Sequence, residues 1–181
     1  MTRYSTRRAA LAGAGMALVL AVTLPGMARA EPESAAITGA DGGRIGSVTL
    51  VDSPHGVLMR VTVAPGNLAP GAHGMHLHSV GDCSDVGAFK MSKGHINPDG
   101  REHGLLNPKG PDNADLPNLV VRHDGSADVE LFTDRVRLAG GPAALLDSDG
   151  SALVIHANPD DHMTQPIGGA GARVACAEIK G

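Results

Sequence analysis

The sequence lacks the large side chains that usually fill a protein core. It contains no tryptophan, one tyrosine and two phenylalanines among 181 residues. The tyrosine, Tyr4, lies within the first thirty residues, so Phe89 and Phe132 are the only aromatic hydrocarbon rings beyond them. A core formed by this chain must therefore be filled by valine, leucine, isoleucine and alanine.

Beyond residue 30 no apolar run is long enough to span a bilayer, which needs about 20 residues, so we expect no membrane association of the mature chain. Residues 1–30 have the three parts of a cleavable signal peptide. These parts are a basic start, an apolar stretch and a small-x-small cleavage pattern, at Arg3 to Arg8, Ala9 to Pro25 and Ala28 to Ala30. The pair Arg7-Arg8 is compatible with twin-arginine export and with the general route. We expect residues 31–181 to form one mature domain.

The mature chain also lacks positive charge. Removal of the four arginines of residues 1–30 leaves 11 lysines and arginines against 19 aspartates and glutamates, a net charge of −8. Phosphate backbones are bound by basic surfaces. We therefore expect no nucleic-acid partner.

Cysteine is scarce, with only Cys83 and Cys176 present. In an exported protein such a pair predicts a disulfide, because the reducing environment that keeps thiols free is absent. The disulfide would close a loop of more than ninety residues. Closure of a loop of this length stabilises a fold by about 4 to 5 kcal/mol. The alternative is two unrelated buried thiols.

The remaining pattern predicts an all-β fold, because alternating or β-branched runs are separated by Gly, Pro, Asp and Ser. No stretch of ten or more residues keeps a helical period. Asp124-Gly125 is a strong hairpin signal between two of the runs. The predicted strands are Arg44 to Val51, Gly56 to Val63, His73 to His78, Leu116 to Arg122, Ala127 to Phe132, Arg135 to Leu138, Ala152 to His156 and Arg173 to Ile179. We expect a sandwich or barrel.

Two segments break this rhythm and are predicted to be long functional loops. They are Ser79 to Asp115, which is rich in glycine and proline, and Asn158 to Gly171. Loops of this length in a compact domain are usually functional or disordered. Both are bounded by histidine or cysteine, and metal ligation or a disulfide would order them.

Five of the nine histidines, all of which follow residue 30, suggest a metal site. In a strand, residues two apart point to the same face, so His76 and His78 present two imidazoles side by side. Neutral imidazoles suit copper or zinc. Mixed nitrogen and oxygen donors suit zinc. The other candidates are His95, His103 and His156, with Asp112 and Asp115 as oxygen donors, whereas His55, His123 and His162 are interpreted as solvated surface residues.

The order of motifs along the mature chain resembles that of copper,zinc superoxide dismutases, in particular their bacterial exported branch. The matching blocks are His73-Gly-Met-His-Leu-His78, Gly81-Asp-Cys83, Gly94-His-Ile-Asn-Pro98, Glu102-His-Gly104, Asp115-Leu-Pro-Asn-Leu119, Val154-Ile-His156 and Gly169-Ala-Gly-Ala-Arg-Val-Ala-Cys176. This resemblance implies a Greek-key β-sandwich or flattened barrel of about eight antiparallel strands. It also implies a periplasmic location.

The resemblance also implies roles for individual residues. His76, His78 and His156 correspond to copper ligands, and His95 to the histidine that bridges copper and zinc. The further correspondences are His103 and Asp115 as zinc ligands, Asp160 as the carboxylate that joins a copper histidine to a zinc histidine, Arg173 as the anion guide, Cys83 and Cys176 as the disulfide, and His73 as a structural histidine.

One position departs from the family pattern. The family commonly has a histidine three residues before the zinc-binding aspartate, where this chain has Asp112. Asp112 supplies an oxygen ligand in one interpretation, which zinc chemistry allows. In the other, zinc is held by three protein ligands and a water. We favour ligation.

The implied activity is dismutation of superoxide to dioxygen and hydrogen peroxide by a redox-cycling copper, with zinc as the second metal. Because the mature chain and its substrate are both anionic, a local positive field is required at the copper. We expect Arg173 to supply it, with Lys90 and Lys93 as candidate helpers. The rival interpretations are a copper-binding protein without turnover and a domain that keeps the fold only as a binding surface. Bacterial members of the family occur as monomers and as homodimers, which leaves the oligomeric state open.

Overall fold

A computed structural model describes Met1 and residues 31–181. The predicted signal peptide lies outside the described residues, apart from Met1. Nine β-strands account for the regular structure of the described part, and its only helical element is a 3-10 turn at Lys90–Ser92. The strands are β1 Glu33–Gly39, β2 Arg44–Ser53, β3 Gly56–Val63, β4 Gly71–His73, β5 Met75–His78, β6 Leu119–Val121, β7 Ala127–Thr133, β8 Ser151–His156 and β9 Arg173–Ile179.

Seven strands form one curled antiparallel sheet in the order β5-β8-β9-β1-β2-β3-β7, and β4 pairs with β6 in a second small sheet. The pairs β3–β7, β1–β9 and β5–β8 join strands distant in the sequence, as long Greek-key connections do. The predicted all-β fold class is confirmed.

The core is aliphatic, as the scarcity of aromatics predicts. Strand β3 shows the reason, because Val57, Met59 and Val61 are buried on one face while Leu58 and Arg60 between them are exposed. Phe132 is half exposed, and the other phenylalanine packs in a small separate cluster with the two cysteines. The sheet therefore closes on branched aliphatic side chains, which suit a pleated surface.

One predicted strand is absent, one predicted strand, His73 to His78, is divided at Gly74 between β4 and β5 of different sheets, and one strand was not predicted. Residues 135–138 do not form a strand, because Arg137 and Leu138 bond to Ala143, Leu145 and Leu146 in a loop that folds back on itself. Strand β1 was not predicted from its Ser- and Ala-rich sequence, and it forms between β2 and β9.

The two predicted loops lie against the free edge of β5 and beside the end of β8. In the first loop Gly94, Ile96 and Ala114 exchange backbone hydrogen bonds with residues 77 and 79. In the second, Ala157 and Asn158 bond to Ala172 and Ala170. We call the antiparallel pair of β5 and β8 the β5–β8 ribbon. Its strand pairing brings the two loops to its two ends.

Candidate metal centre

Three buried histidines converge where β5 pairs with β8. His76 and His78 lie on β5, and His156 ends β8. Their ligand atoms lie within 4.8 Å of one another. We call this group the imidazole cluster.

The hydrogen bonds of the imidazole cluster determine which nitrogen of each ring is free. Nδ1–H of His78 donates to the carbonyl of Lys93 at 2.8 Å, and that of His156 to the carbonyl of Gly171 at 3.0 Å. Nε2 of His76 lies 2.8 Å from Oδ2 of Asp160. The opposite nitrogens are buried without a hydrogen-bond partner among the described residues. Buried polar atoms are rarely left unpaired, so these three nitrogens mark a place for a cation.

Burial also sets the protonation of these rings. It lowers the pKa of His76, lowers the pKa of His78 well below its usual range, and lowers the pKa of His156 to about 4. All three are neutral at pH 7, the state in which an imidazole nitrogen can coordinate a metal.

His95 lies between this cluster and a second one. Its ring centroid is 4.4 Å from that of His76. Its Nδ1 lies 2.8 Å from Oδ2 of Asp112, and its Nε2 is buried without a partner among the described residues. The two nitrogens of one ring thus face two different groups of donors.

The second group, which we call the mixed cluster, contains two histidines and two aspartates with ligand atoms within 4.8 Å: His95, His103, Asp112 and Asp115. Oδ1 of Asp112 accepts the Ala114 N–H at 2.9 Å. Oδ2 of Asp115 accepts the N–H groups of Gly104 and Asp112 at 2.7 and 2.9 Å. Each carboxylate therefore keeps one oxygen for the backbone and presents the other to the imidazoles. The two nitrogens and two oxygens are a donor set that suits a tetrahedral zinc ion.

Asp160 joins the two clusters. Oδ2 meets Nε2 of His76, and Oδ1 lies 3.1 Å from Nε2 of His103. Although burial opposes ionisation, the hydrogen bonds from His103 and His76 hold the pKa of Asp160 well below its usual range. Burial by itself would lower the pKa of the His103 imidazole, but its hydrogen bonds with Asp115 and Asp160 raise that pKa to about 10. One fixed carboxylate thus orients one ring of each cluster.

Two residues that sequence reasoning did not identify hold Asp160. The Asn118 side chain accepts the Asp160 N–H and donates to its carbonyl, both at 2.8 Å. The N–H of His162 donates to Oδ1 at 2.7 Å. The interpretation of His162 as a solvated surface residue is wrong, because its ring is mostly buried, with Nδ1 3.3 Å from Oδ2 of Asp160. Gly168 packs on the same carboxylate at φ +60°, where a Cβ would collide with it.

Arg173 stands beside His78 at the wall of a cavity of about 400 Å³. Its Nη1 and Nη2 donate to the carbonyls of Phe89 and Lys93, each at 2.6 Å. The cavity is also lined by His95, His103, Asp112 and a second cation, Arg101. Arg101 donates to the Gly110 carbonyl at 2.9 Å. Sequence reasoning missed it, although it is the only cation between His95 and His103.

The two candidate helper lysines do not line this cavity. Lys93 contributes its carbonyl, which accepts from both His78 and Arg173, instead of its charge.

Cys83 and Cys176 form the predicted disulfide, with 5.9 Å between the Cα atoms, and it ties the first loop to β9 three residues after Arg173. No helix in the described part of the chain has the length and apolar character needed to cross a membrane.

Comparison with known proteins agrees with this geometry. Residues 44–179 match the model of the family described as "Copper/zinc superoxide dismutase (SODC)". A "Superoxide dismutase [Cu-Zn]" of Caulobacter vibrioides is 49% identical over 150 residues, which cover 81% of this chain and 84% of that protein.

Solved structures show the same fold. The chain resembles a doubly substituted variant of a SOD-like protein from Bacillus subtilis with a TM-score of 0.78 and 34% identity, over 82% of this chain and 97% of the other. It resembles a Cu/Zn superoxide dismutase from Brucella abortus with a TM-score of 0.65 and 25% identity, over 82% and 99% of the two chains.

Proposed function

Because the chain belongs to the copper/zinc superoxide dismutase family, we propose that it converts superoxide to dioxygen and hydrogen peroxide with copper and zinc. The observation that carries the assignment is the convergence of buried imidazole nitrogens that have no other partner. Copper would be held by His76, His78, His156 and Nε2 of His95, and these all-nitrogen donors suit it. Zinc would be held by Nδ1 of His95 and by His103, Asp112 and Asp115.

Bound copper supplies the redox chemistry, by accepting an electron from one superoxide and returning it to a second. The protein must supply the rest, namely an anion site and protons, since peroxide leaves as hydrogen peroxide. When copper does not occupy Nε2 of His95, we assign a proton to that nitrogen, because it is buried, lacks a partner among the described residues and belongs to a ring that lines the cavity. Asp112 holds the opposite nitrogen.

Arg173 is the residue that binds the anion. Its Nη1 donates to Phe89 and Ser92 and its Nη2 donates one hydrogen to Lys93, so Nε–H and one Nη2–H remain for a ligand. A guanidinium presents such donors in a fixed plane, which suits a small oxygen anion. Arg101, which also lines the cavity, adds positive charge to a protein of net negative charge.

The test is the decay of superoxide catalysed by the purified protein after reconstitution with copper and zinc. We expect fast, copper-dependent decay that a chelator abolishes. Full copper occupancy without catalysis would instead assign the protein to copper binding without turnover.

We also propose that the protein is exported to the periplasm, with residues 1–30 as the signal peptide and residues 31–181 as the catalytic domain. The disulfide and the bacterial relatives support export. Cell fractionation followed by N-terminal sequencing should find the protein in the periplasm with Glu31 as its first residue. A homodimer stays a prediction, which light scattering of the purified protein would decide.

A further inference from the structure

Ser92 occupies an unusual place beside the anion site. It is fully buried, although the 3-10 turn that it ends lies in a surface loop. The residues on either side of that turn, Phe89 and Lys93, have φ values of 51° and 64°. Residues other than glycine rarely adopt positive φ. The backbone is thus turned so that both carbonyls point inward.

The Ser92 hydroxyl connects the anion-guiding arginine to this turn. Oγ donates to the Phe89 carbonyl at 2.7 Å, which leaves its lone pairs to accept from Nη1 of Arg173 at 3.1 Å. It also lies 3.4 Å from Nδ1 of His78. One buried hydroxyl therefore contacts the guanidinium and borders a ring of the imidazole cluster.

Without this hydroxyl the guanidinium would lose a restraint and keep its charge. The Phe89 carbonyl and Ser92 Oγ both accept from Nη1. Removal of Oγ would take away one of these two acceptors, and the guanidinium plane could then turn about the two bonds to the carbonyls of Phe89 and Lys93. The donors at Nε and Nη2 would no longer be held in one direction.

We propose that Ser92 is a positioning residue that orients the free donors of Arg173 toward the anion beside copper. The inference rests on the proposed function of Arg173. It concerns orientation only, since Ser92 itself contacts neither the anion nor a metal.

The experiment is a titration of the copper(II), zinc-loaded protein with azide, a small anion that binds copper and gives an absorption band when bound. We expect Ser92→Ala to raise the azide dissociation constant about threefold to tenfold, because a hydrogen bond to a charged group is lost. The rate constant for superoxide decay at low salt should fall by a similar factor. Copper content should be unchanged.

Two controls separate orientation from loosened packing. Ser151→Ala removes a hydroxyl that is equally buried and has no partner among the described residues, so azide affinity should stay at the wild-type value. In a double-mutant cycle, Ser92→Ala should have no further effect in an Arg173→Ala background.

Equal weakening by Ser92→Ala in both backgrounds would overturn the proposal, since the effect would then not pass through Arg173. If Ser92→Ala binds azide as tightly as the wild type while Arg173→Ala binds it more weakly, only the inference about Ser92 is overturned. An Arg173→Ala variant with unchanged affinity and unchanged superoxide decay would overturn both the inference and the proposed role of Arg173.

Discussion

The two donor clusters lie side by side, with the His95 ring of one 4.4 Å from the His76 ring of the other, and they are built in different ways. Backbone carbonyls orient His78 and His156 of the imidazole cluster, and burial lowers the pKa of all three of its rings. In the mixed cluster two of the four donors are carboxylates, and backbone N–H groups of the first loop orient them. The imidazole cluster therefore depends on strand pairing, whereas the mixed cluster depends on the folding of a loop.

This difference bears on charge as well as on geometry. Asp112 and Asp115 bring two negative charges to a place where His95 also presents a nitrogen. Carboxylates favour zinc over the softer copper(I) ion, and imidazoles accommodate both oxidation states of copper. The comparison leads us to expect that each cluster can be damaged separately and that Asp160 couples them.

The largest effect should follow loss of a strand-borne imidazole. We expect His156→Ala to reduce copper-dependent superoxide decay by at least about a hundredfold, since partners that only support a metal ligand already contribute 10–100-fold. Copper binding should weaken in a calorimetric titration while zinc binding persists. Full retained activity would remove His156 from the copper site.

Loss of a carboxylate from the mixed cluster should give the opposite selectivity. We expect Asp112→Ala to weaken zinc binding about a hundredfold, because one of four protein donors is removed, and to leave copper affinity nearly unchanged. Asp112→His is the matched variant, since it replaces the oxygen donor with a nitrogen donor and should retain zinc. Unchanged zinc affinity in Asp112→Ala would favour three protein ligands and a water.

A change at Asp160 should affect both clusters at once. In Asp160→Asn only one oxygen remains to accept from His76 or His103, and we expect 10–100-fold weaker binding of at least one metal and a measurable loss for the other. Competition with a chelator measures both affinities. Asp161→Asn is the control, because the Asp161 carboxylate accepts hydrogen bonds from Met163 and Thr164 and bonds to neither cluster. Equal effects of the two variants would show that the loop, and not the carboxylate bridge, is responsible.

The smallest effect should come from a cation of the cavity wall that belongs to neither cluster. We expect Arg101→Gln to slow superoxide decay about twofold at low ionic strength and to reduce its salt dependence, because exposed charges act at long range only when screening is weak. Lys90→Gln changes the net charge equally but lies outside the cavity lining, and it should have a weaker effect. The same slowing in both variants would mean that net charge, rather than position, controls the rate.

The strand-borne half of the site was predictable because local pattern is enough there. Two residues apart in a strand share a face, so His76 and His78 could be paired from their spacing alone. The resemblance to a family assigned roles to His95, His103 and Asp115, which the histidine pattern had already marked as candidates, and added Asp160. The sequence marked Asp112 as a candidate zinc ligand. It could not decide between ligation and a solvated carboxylate, because an aspartate at this position is compatible with both.

The residues that hold Asp160 were out of reach of sequence reasoning. Asn118 lies 42 residues from Asp160 and His162 lies 2 residues from it. Both contacts depend on the conformation of the second loop, which shows no periodic sequence pattern. The same is true of Ser92 and Arg101, whose contacts depend on how the first loop packs against β9 and on itself. Strand β1 escaped prediction for a related reason, since Ser and Ala have weak strand preferences and its pairing with β2 and β9 decides its form.

The amino-acid sequence by itself determined an all-β chain with an aliphatic core, one disulfide and a set of histidines at metal-binding spacing, because these follow from composition and from the two-residue period of a strand. Only the tertiary structure decided which imidazole nitrogens are free, which carboxylate oxygens face them and which cations line the cavity. Those facts depend on hydrogen bonds between segments far apart in the chain. Such bonds form only when the two loops are brought to the ends of the β5–β8 ribbon.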